Sequence, residues 1–395
     1  MVGPLAGVKV IDLTSVVMGP YATQIFGDMG AEVIKIERPE GDIMRHMGVY
    51  RNPAMGPIHL SVNRNKKSVM LDLRKEEGIQ ALFRLASDAD VLIHSMRPAA
   101  MARLGLDYEA VKARNPGIIY CGAYGFGSDG PYADDPAYDD IVQGLCGMTA
   151  INALLAGEPR FTPTVVADKV AGLTTTYSVL AALFHKARTG EGQHVEVPMF
   201  ETMTSFMLIE HLGGRVFNIE NGEPGYERVM SQLRKPHRTK DGYACVLPYS
   251  DRNWRDFFLE TGRAELADDP RYVTASSRSR NYETLYKTLS DIMLERTTEE
   301  WLKALKPLSI PVARVNDLGE LFSDPHLQAV KMFVQLKHPT EGTLTQVRPP
   351  VSFEKTPCEI RTLAATLGEH SREVLAAAGY SDAEIEVLAA QGITI

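Results

Sequence analysis

"VKVIDLTSVVMGPYATQIFGDMGAEVIKIE" runs from Val8 to Glu37, and its reading decides the fold class. Residues 8–13 are a short apolar run of strand length. "PYATQIFGDMG", 20–30, opens on a proline suited to the first turn of a helix and closes on a glycine suited to its end. "AEVIKIE", 31–37, is again strand-like. A strand, a helix and a second strand in so short a span make a βαβ unit, which lays its strands parallel and covers one face of the sheet with the helix.

Outward from that unit the alternation continues. "KSVMLDL" (67–73) reads as a third strand, and "EEGIQALFRLASDA" (76–89) as the helix behind it. "DVLIHSM" (90–96) and "PGIIYCGAY" (116–124) are further strands. "GQHVEVPM" (192–199) closes the series, and "FETMTSFMLIEHLG" (200–213) is a helix leaving it. The pattern predicts an α/β fold with a large, doubly wound, Rossmann-like domain over 1–213. The segment from 214, "GRVFNIENGEPGYERV", reads as a linker or mobile loop. It leads into a small α+β domain over 214–325, with "DGYACVLPY" as a strand and "ETLYKTLSDIML" and "TEEWLKALK" as helices. A C-terminal segment, 326–395, returns to the large domain and ends in two short helices. No internal repeat is present.

Composition excludes some function classes. A formal net charge of −8 over 395 residues argues against a general nucleic-acid binder, though not against a local cationic site. No apolar run reaches the roughly 20 residues of a membrane span, and the N-terminus lacks the pattern of a signal peptide. Cys121, Cys146, Cys245 and Cys358 have no metal-site spacing and read as reduced, mostly buried thiols of a cytoplasmic protein. The ten histidines are scattered, with none between His94 and His185, so no metal site is expected.

"GFGSDG" (125–130) matches the dinucleotide fingerprint GxGxxG, but Pro131 and a loop follow where a helix must start. Basic residues gather near strand ends: Arg38, Arg64, Lys66, Lys67, Arg74, Arg97 and Arg103. Arg38, Arg74 and Arg97 follow strands directly, where open α/β sheets bind ligands, and would suit a polyphosphate. The alternative is ordinary solvated charge. Asp168 stands at the mouth of a helix predicted from Val170, Leu173, Tyr177, Leu180, Ala181 and Phe184, which recur at helical spacing as a buried or half-buried face. It reads either as an N-cap or as a carboxylate nucleophile.

Taken together, these segments resemble the class III coenzyme A transferases, the family of formyl-CoA transferase and carnitine CoA-transferase, with the α-methylacyl-CoA racemases as relatives. The marks are "PLAGVKVIDLTSVVMGPYATQIFGDMGAEVIKIERPEGD", "NRNKKSVMLDLRKEEG", "RPAAMARLGLDYEAVKARNPGIIYCGAYGFGSDGPY", "PAYDDIVQG", the Asp168 helix and "TGEGQHVEVPMFETM". The resemblance implies an interlocked homodimer that transfers coenzyme A between carboxylic acids, with no tightly bound cofactor, metal, nucleic-acid or membrane partner. It implies Asp168 as the catalytic nucleophile. It implies coenzyme A contacts at Arg38, at Leu71, Asp72, Leu73 and Arg74, at Ser95, Met96 and Arg97, and at Arg103. Val16, Val17 and Met18 would lie close to the thioester, and Pro136, Ala137, Tyr138 and Asp139 just before the active site.

Two departures bear on substrate and reaction. The glycine-run loop of formyl-CoA transferase is reduced here to Gly213–Gly214, Gly222 and Gly225, which counts against formyl and oxalate substrates. The racemases carry a histidine where this chain has Tyr138. A racemase or a non-catalytic acyl-CoA binder are the alternative readings.

Overall fold

The computed structural model describes residues 3–217 and 222–395. Six strands form one parallel sheet: β1 (Lys9–Leu13), β2 (Glu32–Glu37), β3 (Lys66–Met70), β4 (Val91–His94), β5 (Ile119–Tyr124) and β6 (His194–Pro198). Their order is β3-β2-β1-β4-β5-β6, with every neighbouring pair parallel. Side chains alternate between faces along each strand. Ile11, Ile34, Ile36 and Leu92 face one core, and Val10, Val33, Val91 and Ile93 the other. Helix α1 (Met18–Asp28) covers the second face, and α2 (Glu76–Ala86) the first. Short helix α3 (Asp139–Leu145) precedes the long α4 (Val166–Thr189), which packs along α1. The final helices, α5 (Ser371–Ala377) and α6 (Asp382–Ala390), put Val374, Leu375, Ile385 and Leu388 into the same core as α2.

The described residues divide into two compact units, one from Met1–Ala150, Arg160–Met207 and Ala329–Ile395, the other from Ile151–Pro159 and Leu208–Gln328. The second has its own three-stranded antiparallel sheet and an aromatic core of Trp254, Phe257, Phe258 and Trp301. Of the expected linker, Gly213–Phe217 forms a 3-10 turn, and residues 218–221 lie outside the described residues.

The face that α4 buries differs from the expected one. Ala167, Ala171, Gly172, Thr175, Thr176, Val179 and Ala182 are buried, whereas Leu173, Tyr177 and Phe184 are exposed on this chain. Helical periodicity identifies an apolar stripe without saying what it meets. Here the small-residue stripe meets α1, because small side chains let two helix backbones approach closely. A Cβ at Gly172 would stand 2.7 Å from the Met18 carbonyl oxygen. The cysteines are also less buried than expected: only Cys121 is fully so, and Cys245 is exposed. No helix among the described residues is long and apolar enough to cross a membrane.

Gly172→Ala should overpack the α1–α4 contact against rigid backbone and lower stability by about 1–3 kcal/mol. Urea unfolding measures this; an unchanged midpoint would show that the two helices separate freely.

Candidate active site

The strand order reverses between β1 and β4, so their outgoing chains diverge and leave a crevice at the carboxyl ends. Two adjoining clefts occupy it. The outer, about 540 Å³, is lined by Leu13–Val16, by Lys35–Arg38 and Glu40–Ile43, and by Leu71–Arg74. The inner, about 340 Å³, is lined by Met18, Ser95, Arg97, Ala123, Tyr124, Pro136, Ala137, Asp168 and Met199, among others. Ser15, Val16, Met96 and Tyr138 line both and form the wall between them.

The outer cleft carries two mostly exposed guanidinium groups. Arg74 donates from Nε and Nη2 to the Asp72 carboxylate at 2.7 and 2.9 Å. Arg38 donates from Nε to the Gly41 carbonyl at 3.1 Å. Both lie 3.8 Å from Glu40 oxygens, so the two cations share one acid.

The inner cleft ends on Asp168. It is buried, and its carboxyl is pushed up to about 7 by that burial and by the Asp139 carboxylate, with the Met18 backbone N–H opposing. Asp168 is not the N-cap. Helix α4 starts two residues earlier at Val166, after Val165, which makes no side-chain cap bond. The capping acid is Asp139, which accepts from the Asp168 backbone N–H at 3.0 Å. Gln143 holds Asp139 by donating to its other oxygen at 2.5 Å, and accepts from Thr162 N–H at 2.8 Å. A helix N-terminus favours an ionised carboxylate; here desolvation and the neighbouring acid outweigh it.

The structure sorts the sequence candidates. Arg38, Leu71, Asp72, Leu73 and Arg74 line the outer cleft. Met18, Ser95, Arg97, Pro136, Ala137 and Asp168 line the inner one, and Val16, Met96 and Tyr138 line both. Val17 is buried behind the wall, Asp139 lies behind Asp168, and Arg103 borders neither cleft. Arg64 and Lys66 leave the ligand-binding set. Arg64 is buried on Asp28 at 2.7 Å and Lys66 on Asp12 at 3.2 Å. Lys67 pairs with Glu32 and Glu373, both at 2.9 Å. In "GFGSDG" the amides of Gly127 and Ser128 already donate to Glu201 and Glu196, at 2.9 and 2.6 Å, where a pyrophosphate would need them. Lys35 and Asp42 line the outer cleft and were missed; a lysine inside the apolar run "EVIKIE" was the signal.

The raised Asp168 value has a consequence for stability. Its ordinary value is 3.8 and its folded value about 7, so between them the folded chain holds a proton that the unfolded chain releases. Stability then falls as pH rises through that window. Asp168→Asn should be more stable than wild type at about pH 8, by on the order of a few kcal/mol, and the gain should shrink toward about pH 5. Urea midpoints at both pH values test this, and a pH-independent difference would refute the raised value.

The pattern of CoA-transferase family III matches residues 5–371. A succinate–glutarate CoA-transferase of Agrobacterium fabrum is 33% identical over 388 residues, covering 94% of this chain and 95% of that one. The (R)-2-hydroxy-4-methylpentanoate CoA-transferase of Clostridioides difficile is 31% identical over 391 residues, covering 96% and 97%. The crystal structure of a CAIB/BAIF family protein from Brucella suis superposes with a TM-score of 0.80 at 29% identity, covering 96% of this chain and 100% of that one. A sheet of this order, a buried acid at its switch point and near-complete matches along the chain agree, and the chain belongs to CoA-transferase family III.

Proposed function

We infer that this protein is an acyl-CoA:carboxylate CoA-transferase with Asp168 as its nucleophile. One observation carries the reading: of two adjoining clefts, the inner is lined by a buried carboxylate and the outer by two guanidinium groups. Coenzyme A matches that polarity. Its phosphates would sit at Arg38 and Arg74, its pantetheine arm would pass the Val16–Met96–Tyr138 wall, and its thioester would reach Asp168.

In the proposed reaction the ionised Asp168 carboxylate attacks the thioester carbonyl and forms an aspartyl mixed anhydride, expelling coenzyme A thiolate. The thiolate attacks the aspartyl carbonyl of the anhydride, giving an aspartyl–CoA thioester and the free donor acid. An acceptor carboxylate attacks that thioester, and the steps run in reverse. Each step exchanges one acyl bond for another, so the thioester's free energy stays on the enzyme. Burial suits this chemistry twice: it makes the carboxylate a stronger base, and it keeps water from the anhydride. The Met18 amide, at the start of α1 and facing Asp168, can help hold an oxyanion there.

The cleft composition favours transfer over racemisation. Among the described residues neither cleft is lined by a histidine, and Tyr138 at the wall is 66% exposed. His211 and His237 are buried in the second unit and bonded there, to Tyr226 N–H and Ser290 Oγ. The named activities of the relatives, on succinate, glutarate and a hydroxy acid, support a carboxylic acid as acceptor. The exposed stripe Leu173, Tyr177 and Phe184 supports a homodimer in which a second copy covers α4.

Incubation of acyl-CoA with a panel of carboxylic acids, read by mass spectrometry, tests the reaction class. Exchange is expected in wild type and absent in Asp168→Asn, which should still bind coenzyme A. Exchange that survives in Asp168→Asn, free of deamidated protein, would exclude Asp168 as nucleophile. Arg38→Ala should weaken acyl-CoA binding about tenfold, or about 1.4 kcal/mol, and leave the maximal rate nearly intact. Tyr138→Phe should keep transfer within about tenfold, and deuterium uptake at the α-carbon of a 2-methylacyl-CoA, lost in that variant, would favour the racemase instead.

A further inference from the structure

The loop between β1 and α1 is held by side chains rather than by backbone pairing. Thr14 N–H donates to Asp12 Oδ1 at 2.9 Å, Ser15 N–H to Ser95 Oγ at 3.1 Å, and Val16 N–H to Asp42 Oδ1 at 3.3 Å. The Thr14 carbonyl accepts from Lys35 Nζ at 2.8 Å. The partners come from β1, from the end of β4, from the segment after β2 and from β2 itself. Three consecutive amides are thus tied to both sides of the switch point.

Two of those partners are buried ions. Lys35 is 2% exposed and Asp42 4%, and they bond to each other at 3.1 Å. A buried ion pair commonly adds little net stability over apolar packing. What this pair does hold is an unfavourable backbone. Val16 has φ +70°, the left-handed region that a β-branched residue strongly avoids. Val16 lines both clefts, and Met18, two residues on, begins α1 and faces Asp168.

We propose that Lys35, Asp42 and Ser95 are positioning residues for the transfer step, holding Val16 left-handed so that Met18, at the start of α1, stays beside Asp168 in the inner cleft. The proposal rests on Asp168 being the nucleophile. The strain at Val16 is maintained by the clamp, and the loop's shape in turn sets the wall between the clefts. Ser95 lines the inner cleft and its Oγ accepts from the Ser15 amide, which ties the loop to the end of β4 and shapes the site.

The test uses the full-length protein with Ser95→Ala, Asp42→Asn and the double variant Asp42→Asn with Val16→Gly. Burst release of the donor carboxylic acid without acceptor, then kcat, KM for acyl-CoA and the thermal midpoint, are measured for each. Wild type should give a burst. Its absence with every acyl-CoA tried would overturn the Asp168 reading itself, before any variant is compared. Ser95→Ala should lower kcat about tenfold with KM and the midpoint unchanged, since the barrier alone is affected. Asp42→Asn should lower kcat further. Glycine takes the left-handed conformation without strain, so adding Val16→Gly should recover about tenfold of kcat in that background. The proposal is overturned if Ser95→Ala raises KM and spares kcat, which would make Ser95 a substrate contact. It is also overturned if Asp42→Asn keeps the wild-type rate, or if Val16→Gly restores nothing while the midpoint stays low. Should Asp42→Asn not fold, the Ser95→Ala split between kcat and KM decides alone.

Discussion

The hydrogen bond from the Asp168 backbone N–H to the Asp139 carboxylate is the contact on which the site depends. It caps the long helix α4 from another element, α3, instead of from the residue before the helix. The Asp168 side chain is therefore free to point into the cleft, because its own carboxylate has no capping duty. Burial raises Asp168, and the same contact adds to this by bringing a second acid close to the first. An N-cap of the ordinary kind would have satisfied the helix and left a weakly basic carboxylate. Gln143 completes the arrangement by bonding Asp139 with one end of its amide and the Thr162 backbone with the other.

Helix α4 meets two demands with two faces. Its inner stripe of alanine, glycine and threonine lets it lie so close to α1 that Asp168 reaches the α1 N-terminus. Larger residues there would widen the gap, and the Met18 amide would no longer face the acid. The large apolar residues therefore fall on the outer face, where this chain alone gives them no cover. The close approach of α4 to α1 and the apolar surface on its other side follow from one division of residue sizes along one helix.

The strands were legible because each is a short, β-rich apolar run between helix signals, and all six were read, with ends shifted by a few residues. Asp168 was legible as a lone acid before an apolar helix. Its capping role was misread because the backbone enters the helix two residues upstream, at Val166, without a cap residue to announce it. The buried face of α4 was misread because periodicity reports a stripe and not its partner. Arg64 and Lys66 looked like ligand-binding cations because their partners, Asp28 and Asp12, lie 36 and 54 residues away and meet them only through the fold. Lys35 was visible in "EVIKIE", yet nothing nearby in sequence said that it would hold the Thr14 carbonyl and Asp42.

On the proposed chemistry, coenzyme A is both cargo and leaving group, and the electrostatics of the cleft divide accordingly. Arg38 and Arg74 are 67% and 70% exposed at the side chain and already face Glu40, with Arg74 also on Asp72. An entering phosphate would exchange one anion for another in a high-dielectric rim, where ion pairs contribute modestly. Affinity would then be spread along the cleft instead of fixed at its mouth, which suits a ligand that must shift as its thiol is released and re-attached. The buried charges stand elsewhere: Asp12, Lys35, Asp42 and Lys66 lie beneath the loop, shielded from water and bonded to backbone. Burial alone would raise the Asp12 carboxyl, yet the Lys66 and Lys35 ammonium groups hold it below its ordinary value. The chain thus uses exposed charge where the ligand must come and go, and buried charge where the backbone must not move.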